Sequence, residues 1–259
     1  MSHFVIPNHT VVGTNVLGEA APLLKKMGNK AFIVTGRHVA VSDMMKQLTA
    51  LLDENGIDCV IFDGITGEPT DTMIENGVEM LKSSGCDFII GIGGGSPLDS
   101  AKAIAAMAVN EGSIADYNGK EITGEILPLA AIPTTAGTGS EATKFTVITD
   151  SEKGIKMLLK GDVLVPKLAI VDSSFTVGAP KSVTSATGLD ALTHAVEAYT
   201  SRKAFSMTDT LAVSAVKRIM KYLPIAYREP DNSLAREQMS IAALEAGICI
   251  NNSSVTIVH

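Results

Sequence analysis

The sequence predicts an α/β domain built on a parallel sheet, followed by an all-α domain. Two observations carry this. Through about residue 180, short β-branched runs alternate with helical patterns, the signature of βαβ units. After residue 172 the alternation stops and long helical patterns take over. The composition allows it: 259 residues, 46% hydrophobic and 19% charged, can bury a large core without staples.

The elements follow in order. Residues 30–35 (KAFIVT) form a β-branched run between Gly28 and Gly36. A helical pattern covers 42–55 and is closed by Gly56. Residues 58–63 (DCVIFD) read as a strand. Residues 71–84 read as a helix with Met73, Val78 and Leu81 at apolar positions. The run 87–92 (DFIIGI) lacks polar alternation, so this strand is buried on both faces. A helix over 96–109 follows, with further buried strands at 127–133 (LPLAAIP) and 168–172 (LAIVD). Right-handed crossovers place helices on both faces of the sheet. Helices then cover 183–200, 207–222 and 233 onward, with Ser182 and Ser233 as N-caps and breaks at 201–206 and 224–232. The chain thus divides into an α/β domain, 1–180, and a helical domain, 181–259. A cleft between two domains favours a ligand. The chain ends on VTIVH, inside an apolar run with no cap or polar tail, so the helical domain is expected to be truncated.

Charge and composition exclude several classes. The net charge is −7 and no basic stripe occurs, which argues against nucleic acid or an anionic membrane as partner. The N-terminus lacks the basic and apolar regions of a signal peptide, and no apolar stretch is long enough to span a bilayer. Cys59, Cys86 and Cys249 are scattered, as expected of reduced thiols in a cytoplasmic protein. A mean hydropathy of +0.25 points to buried strands, Ala-rich helices and a subunit interface.

Two loops carry phosphate chemistry. Gly91-Ile-Gly-Gly-Gly-Ser-Pro-Leu-Asp99 leaves a buried strand and enters a helix. Its glycines let backbone approach a ligand closely, and a helix N-terminus offers free N–H groups to a phosphate. Ser96 suits the N-cap, Pro97 the first helical position, and Asp99 the far end of a capping box. Tight packing alone would need fewer glycines. Ser96 occupies the third glycine position of the strict G-x-G-x-x-G fingerprint, and no Walker lysine follows. The second loop, Pro133-Thr-Thr-Ala-Gly-Thr-Gly-Ser-Glu-Ala-Thr143, supplies hydroxyls suited to diphosphate or ribose. Two such loops at the carboxyl ends of parallel strands mark a dinucleotide crevice, although each also reads as an ordinary turn or polar loop.

In Gly188-Leu-Asp-Ala-Leu-Thr-His-Ala-Val-Glu-Ala-Tyr199, Asp190 and His194 lie four apart and share a helix face. Such a pair alone is more often a helix ion pair. Here the helix is otherwise apolar, and burying two polar groups without a partner is costly, which favours a shared metal ion. Glu197 could partner the pair but is expected to face solvent. His259 by spacing alone reads as a core histidine. His3, His9 and His38 are assigned no metal role.

These motifs together, GGGSPLDSAK near 94, PTTAGTGSEAT at 133–143, VITD at 147–150 and GLDALTHAVEAY at 188–199, resemble the iron-containing (group III) alcohol dehydrogenases over essentially the whole chain. The resemblance implies a dinucleotide-binding α/β domain, a helical metal-binding domain and an active site between them. It implies that Asp190 and His194 are metal ligands, and that Val258-His259 begins the family segment carrying the third ligand. A fourth ligand would fall beyond residue 259, which puts activity of this form in doubt. The metal implied is Fe(II), with Zn(II) able to substitute. Gly94, Gly95, Ser96, Pro97 and Leu98 would lie on the pyrophosphate. Thr134, Thr135 and Thr138 would lie near the adenine and diphosphate, and Thr143 and Lys156 near the nicotinamide ribose. NAD-using members often carry an Asp after the first strand. This chain has Gly36-Arg37 there, which leaves room for a 2′-phosphate and favours NADP over NAD. Glu68-Pro69-Thr70 departs from the family's usual Asn-Pro-Thr. The function implied is hydride transfer between a small primary alcohol or diol and its aldehyde, in a homodimer or higher homo-oligomer joined partly through residues 4–12. The alternatives are a glycerol dehydrogenase-like enzyme of the same architecture and a non-catalytic nucleotide-binding fragment.

Overall fold

The computed structural model describes residues 3–256 and 258; His259, the expected third ligand, lies outside the described residues. Six parallel strands form one sheet in the order β1-β8-β5-β4-β2-β3. They are β1 (His9–Gly13), β2 (Lys30–Val34), β3 (Asp58–Phe62), β4 (Phe88–Gly93), β5 (Leu129–Pro133) and β8 (Leu168–Asp172). Between β5 and β8 the chain makes an antiparallel hairpin, β6 (Phe145–Asp150) and β7 (Ile155–Lys160).

Helices cover both faces, as the buried strand runs require. On one face α1 (Ala21–Met27) and α3 (Asp43–Glu54) bury Leu24, Met45, Leu48 and Leu52 against Ala31, Ile33, Phe88, Ile90 and Ile92. On the other, α4 (Asp71–Ser84), α5 (Gly95–Met107) and the hairpin pack Ile74, Leu81, Ile104, Ile148 and Leu159 against Phe32, Val34 and Ile89. The period-2 pleat sends alternate residues of β2 and β4 into these two cores. A short α2 (Arg37–Ala40) follows β2, with Gly36 as its N-cap. The strand order reverses between β2 and β4. There Thr35 Oγ1 donates to Ile92 O at 2.8 Å and holds the two carboxyl ends together. A reversal of this kind is where open α/β sheets bind ligands.

The last three helices, α6 (Lys181–Thr200), α7 (Ser206–Arg228) and α8 (Ser233–Ser253), pack on one another through alanines, among them Ala191, Ala195, Ala215, Ala242 and Ala246. Small side chains let the helix axes approach closely. No described helix is long and apolar enough to cross a membrane.

Several local expectations need correction. The helix caps differ: Pro180 and Asn232 precede α6 and α8, and the Asn232 side chain accepts from Ala235 N. The break expected at 224–232 is shorter, because α7 runs through Pro224 to Arg228. Proline costs a helical hydrogen bond there, but continuing the helix buries Ala226, at 1% exposed, in the helical core. The hairpin was not anticipated, although its turn is written in Asp150-Ser-Glu-Lys-Gly154. Asp150 accepts from Lys153 N and Gly154 N, and Gly154 has φ 65°.

The loop after β5 joins the two regions by backbone contact. Gly139 has φ 63°, and a Cβ on it would stand 2.5 Å from Gly247 Cα; a Cβ on Gly247 would stand 2.5 Å from Gly139 O. Replacing Gly247 with Ala must therefore push α8 off the loop. We expect Gly247→Ala to lower unfolding free energy by on the order of 2 kcal/mol, read from urea midpoints. Gly18→Ala, where an added Cβ meets nothing within 4 Å, serves as the neutral control.

Candidate functional site

The site is built from the carboxyl ends of β4 and β5. Gly93, with φ 149°, ends β4 in a conformation that glycine adopts freely, and a Cβ there would strike Pro97 Cγ at 2.6 Å. Helix α5 starts at Gly95 with Gly94 as N-cap, and no side chain caps it. Ser96 is thus inside the first turn rather than the cap. Asp99 does not close a capping box either: it accepts from Ser140 Oγ at 2.6 Å and Val147 N at 2.8 Å. The consequence is chemical. The first N–H groups of α5 are left for a ligand, and the helix dipole favours an anion at that end.

A cleft of about 260 Å3 opens at this helix end, lined by Gly95, Ser96, Thr138, Thr149, Lys156 and Glu68 among others. Gly95, Ser96, Thr138 and Lys156 are therefore brought together as expected from the sequence. Thr134 and Thr135 follow β5 directly, and Thr134 N donates to Gly93 O at 2.9 Å, which sets the two loops side by side. Leu98 and Thr143 are turned into the core. Leu98 is 1% exposed and lies under Gly91, while Thr143 accepts from Lys102 Nζ at 2.9 Å. Gly36 and the exposed Arg37 stand after β2, on the other side of the strand reversal. Lys156 Nζ pairs with Glu68 Oε1 at 2.6 Å across the cleft rim, so the departure Glu68 engages the lysine assigned to the ribose.

Sequence reasoning missed the charged cluster beneath the cleft. Lys102 is completely buried; it donates to Thr143 Oγ1 and to Phe145 O at 2.8 Å. Burial lowers its ammonium to about 8 despite Asp99 and Glu141 nearby. Burial likewise raises Asp99 and brings Glu141 up to about 7, against the pull of Lys102. A lone Lys in the Ala/Ile-rich stretch of α5 was the available signal. A second buried cation, Arg236, donates to Pro230 O at 2.7 Å and Thr184 Oγ1 at 3.0 Å, beside a small cavity lined by Thr135 and Thr187.

On α6, Asp190 Oδ1 and His194 Nε2 face each other at 3.8 Å. His194 is 7% exposed and the Asp190 side chain 33%. The helix holds them on one face beside the loop after β5, since a Cβ on Gly137 would stand 2.5 Å from Thr187 Cβ, one turn before Asp190. A hard carboxylate oxygen and an imidazole nitrogen at this separation suit a first-row divalent cation. Among the described residues no set of three His, Cys, Asp or Glu side chains gathers to hold a metal. Glu197 does not face solvent: it is 4% exposed.

Residues 7–173 match the model of the iron-containing alcohol dehydrogenases, and residues 184–259 match the C-terminal model of the same family. The chain belongs to the iron-containing alcohol dehydrogenase family. It is similar to the NAD-dependent methanol dehydrogenase of Bacillus methanolicus, at 40% identity over 261 residues covering all of this chain and 68% of that protein. It is equally similar to the 1,3-propanediol dehydrogenase of Citrobacter freundii, at 40% identity over 266 residues and the same coverage. Among solved structures, a 1,3-propanediol oxidoreductase superposes with TM-score 0.97 at 36% identity, over 100% of this chain and 68% of that one. A sulfoacetaldehyde reductase from Bifidobacterium kashiwanohense in complex with NAD+ superposes with TM-score 0.94 at 33% identity, over 99% and 68%. Alcohol oxidoreductase chemistry with iron and a nicotinamide cofactor is thus the family character of this chain.

The buried carboxyl of Glu141 gives a pH signature. Folded, it keeps its proton up to about pH 7; unfolded, it releases it near 4.5. Its stabilising contribution is full below 4.5 and is lost as pH rises through 7. We expect the stability gap between wild type and Glu141→Gln to change by on the order of 2 kcal/mol across that window, measured by urea unfolding at pH 5 and 7. A constant gap would show that the carboxyl is solvated.

Proposed function

We propose that the chain carries the cofactor site and the metal ligands of an NAD(P)-dependent, metal-dependent dehydrogenase that interconverts a small primary alcohol or diol and its aldehyde. The observation that carries this is the uncapped N-terminus of α5 at the cleft, with the Asp190–His194 pair on the helix that packs against the neighbouring loop. The names of the similar proteins, alcohol and diol dehydrogenases, support the substrate class.

In this reading the α/β domain, 1–180, binds the nucleotide and the helical domain, 181–259, binds the metal. The separate family matches at 7–173 and 184–259 favour that division. The amides of Gly95 and Ser96 hold the pyrophosphate, with Gly94 and Pro97 shaping the turn and Leu98 acting only by packing under it. Thr134, Thr135 and Thr138 flank the diphosphate, and Lys156 leaves Glu68 to meet the ribose. Lys102 fixes Thr143, and so steadies the wall on which the nicotinamide rests. Asp190, His194 and His259 supply the protein ligands for Fe(II) or Zn(II). When bound, the metal supplies Lewis acidity toward an alcohol or carbonyl oxygen, and the nicotinamide supplies or accepts the hydride. A homodimer through the N-terminal segment is consistent with β1 standing at a sheet edge with unpaired backbone groups.

Two measurements test this reading. Asp190→Ala and His194→Ala should each abolish metal-dependent alcohol oxidation while nicotinamide binding, followed by fluorescence quenching, persists; full activity in either variant overturns the ligand assignment. For the cofactor, exposed Arg37 and the absence of a carboxylate at Gly36 favour NADP. Arg37→Ala should raise the Kd for NADPH about tenfold, ~1.4 kcal/mol, and leave that for NADH unchanged. Equal effects on both would remove the NADP preference.

A further inference from the structure

Glu197 lies three residues beyond His194 on α6, in a stretch otherwise made of alanine and apolar neighbours, and is 4% exposed. A buried carboxylate is costly unless hydrogen bonds compensate it. Among the described residues its Oε1 accepts from one stretch of chain: from Thr256 Oγ1 at 3.0 Å and from the Val258 N–H at 2.5 Å. That stretch follows α8 and turns sharply at once, since Ser254 has φ 85°, a conformation costly for a residue with a Cβ. It is then fastened back along α6. Ser201 Oγ donates to Ser253 O at 2.8 Å, and Val255 packs on a cluster containing Ala198, Cys249 and Ile250. Apolar packing tolerates sliding, whereas a carboxylate bonded to one main-chain N–H sets the register of the chain there.

We propose that Glu197 is a positioning residue: it fastens Thr256 and Val258 to the helix bearing Asp190 and His194, and so sets the register of the chain that leads into the ligand proposed above, His259. This rests on the metal reading above. Its logic is that two ligands on one helix come prearranged, while a ligand from a separate segment needs its backbone fixed by something on that helix. Partners that orient a metal's ligands are worth about 10- to 100-fold in metal affinity.

The experiment uses the full 259-residue chain, stripped of metal and titrated with Co(II), whose visible absorption reports the ligand set. We expect Glu197→Ala to bind Co(II) about 10- to 100-fold more weakly than wild type with an altered spectrum, and Glu197→Gln, which keeps an acceptor oxygen, to recover most of the loss. In the metal-free protein, amide exchange at 255–258 should quicken in Glu197→Ala while 190–197 stays protected. If Glu197→Ala binds Co(II) like wild type while His259→Ala is weakened, the positioning role falls and the metal reading stands. If His259→Ala binds like wild type, the metal reading falls and this inference with it. Loss of protection throughout α6 in Glu197→Ala would also overturn it, by reducing Glu197 to helix packing.

Discussion

The steric fit of the loop between β5 and β6 holds the rest of the structure in place. Three contacts leave no room for a larger atom: Gly95 on Thr138, Gly137 on Thr187, and Gly139 on Gly247. Each joins the loop to a different helix, respectively α5, α6 and α8. The loop therefore fixes α5, whose N-terminus opens on the cleft, the Asp190–His194 helix and α8 relative to one another. Close-packed interiors transmit such constraints with little give, so the separation between the cleft and the candidate metal pair is set by backbone contact rather than by side chains that could adjust.

Electrostatics under the cleft follow the same plan. Asp99 and Lys102 are on α5, yet all their described side-chain bonds reach out of the helix, to Ser140, Thr143, Phe145 and Val147. The helix that presents its uncapped N-terminus to the cleft thus also pins the wall opposite. In a low-dielectric interior these bonds are strong, and an unmatched member would be expensive, which explains why Lys102 and Glu141 are buried together with Asp99 beside them at the cleft. The functional face of α6 is equally dense: within eight residues it carries the Asp190–His194 pair and the carboxylate that gathers the chain after α8.

Much of the fold was legible because periodicity reports burial. The apolar runs at 87–92 and 127–133 read as strands covered on both faces, and strands 88–93 and 129–133 are buried throughout. The hairpin escaped because its strands alternate only weakly in sequence, FTVITD and IKMLLK. The end of α7 escaped because proline's local preference is to break a helix, while burying Ala226 outweighs it. At the site, glycine and hydroxyl spacing found the cleft-lining residues. Lys102 left only the signal of a lone Lys in an apolar helix, and the environments of Arg236 and Glu197 left none, since partners of the three lie 41, 52 and 59 residues away in the chain.

By itself the sequence determined the α/β-then-α order, the two loops at the strand ends and the Asp190–His194 spacing, because each depends on near neighbours along the chain. Only the tertiary structure decided that Ser96 would leave the helix end uncapped, that Leu98 and Thr143 would turn inward, and that Glu197 would be buried. Those outcomes depend on which distant groups compete for the same space and the same hydrogen bonds, and that competition is settled only when the layers pack.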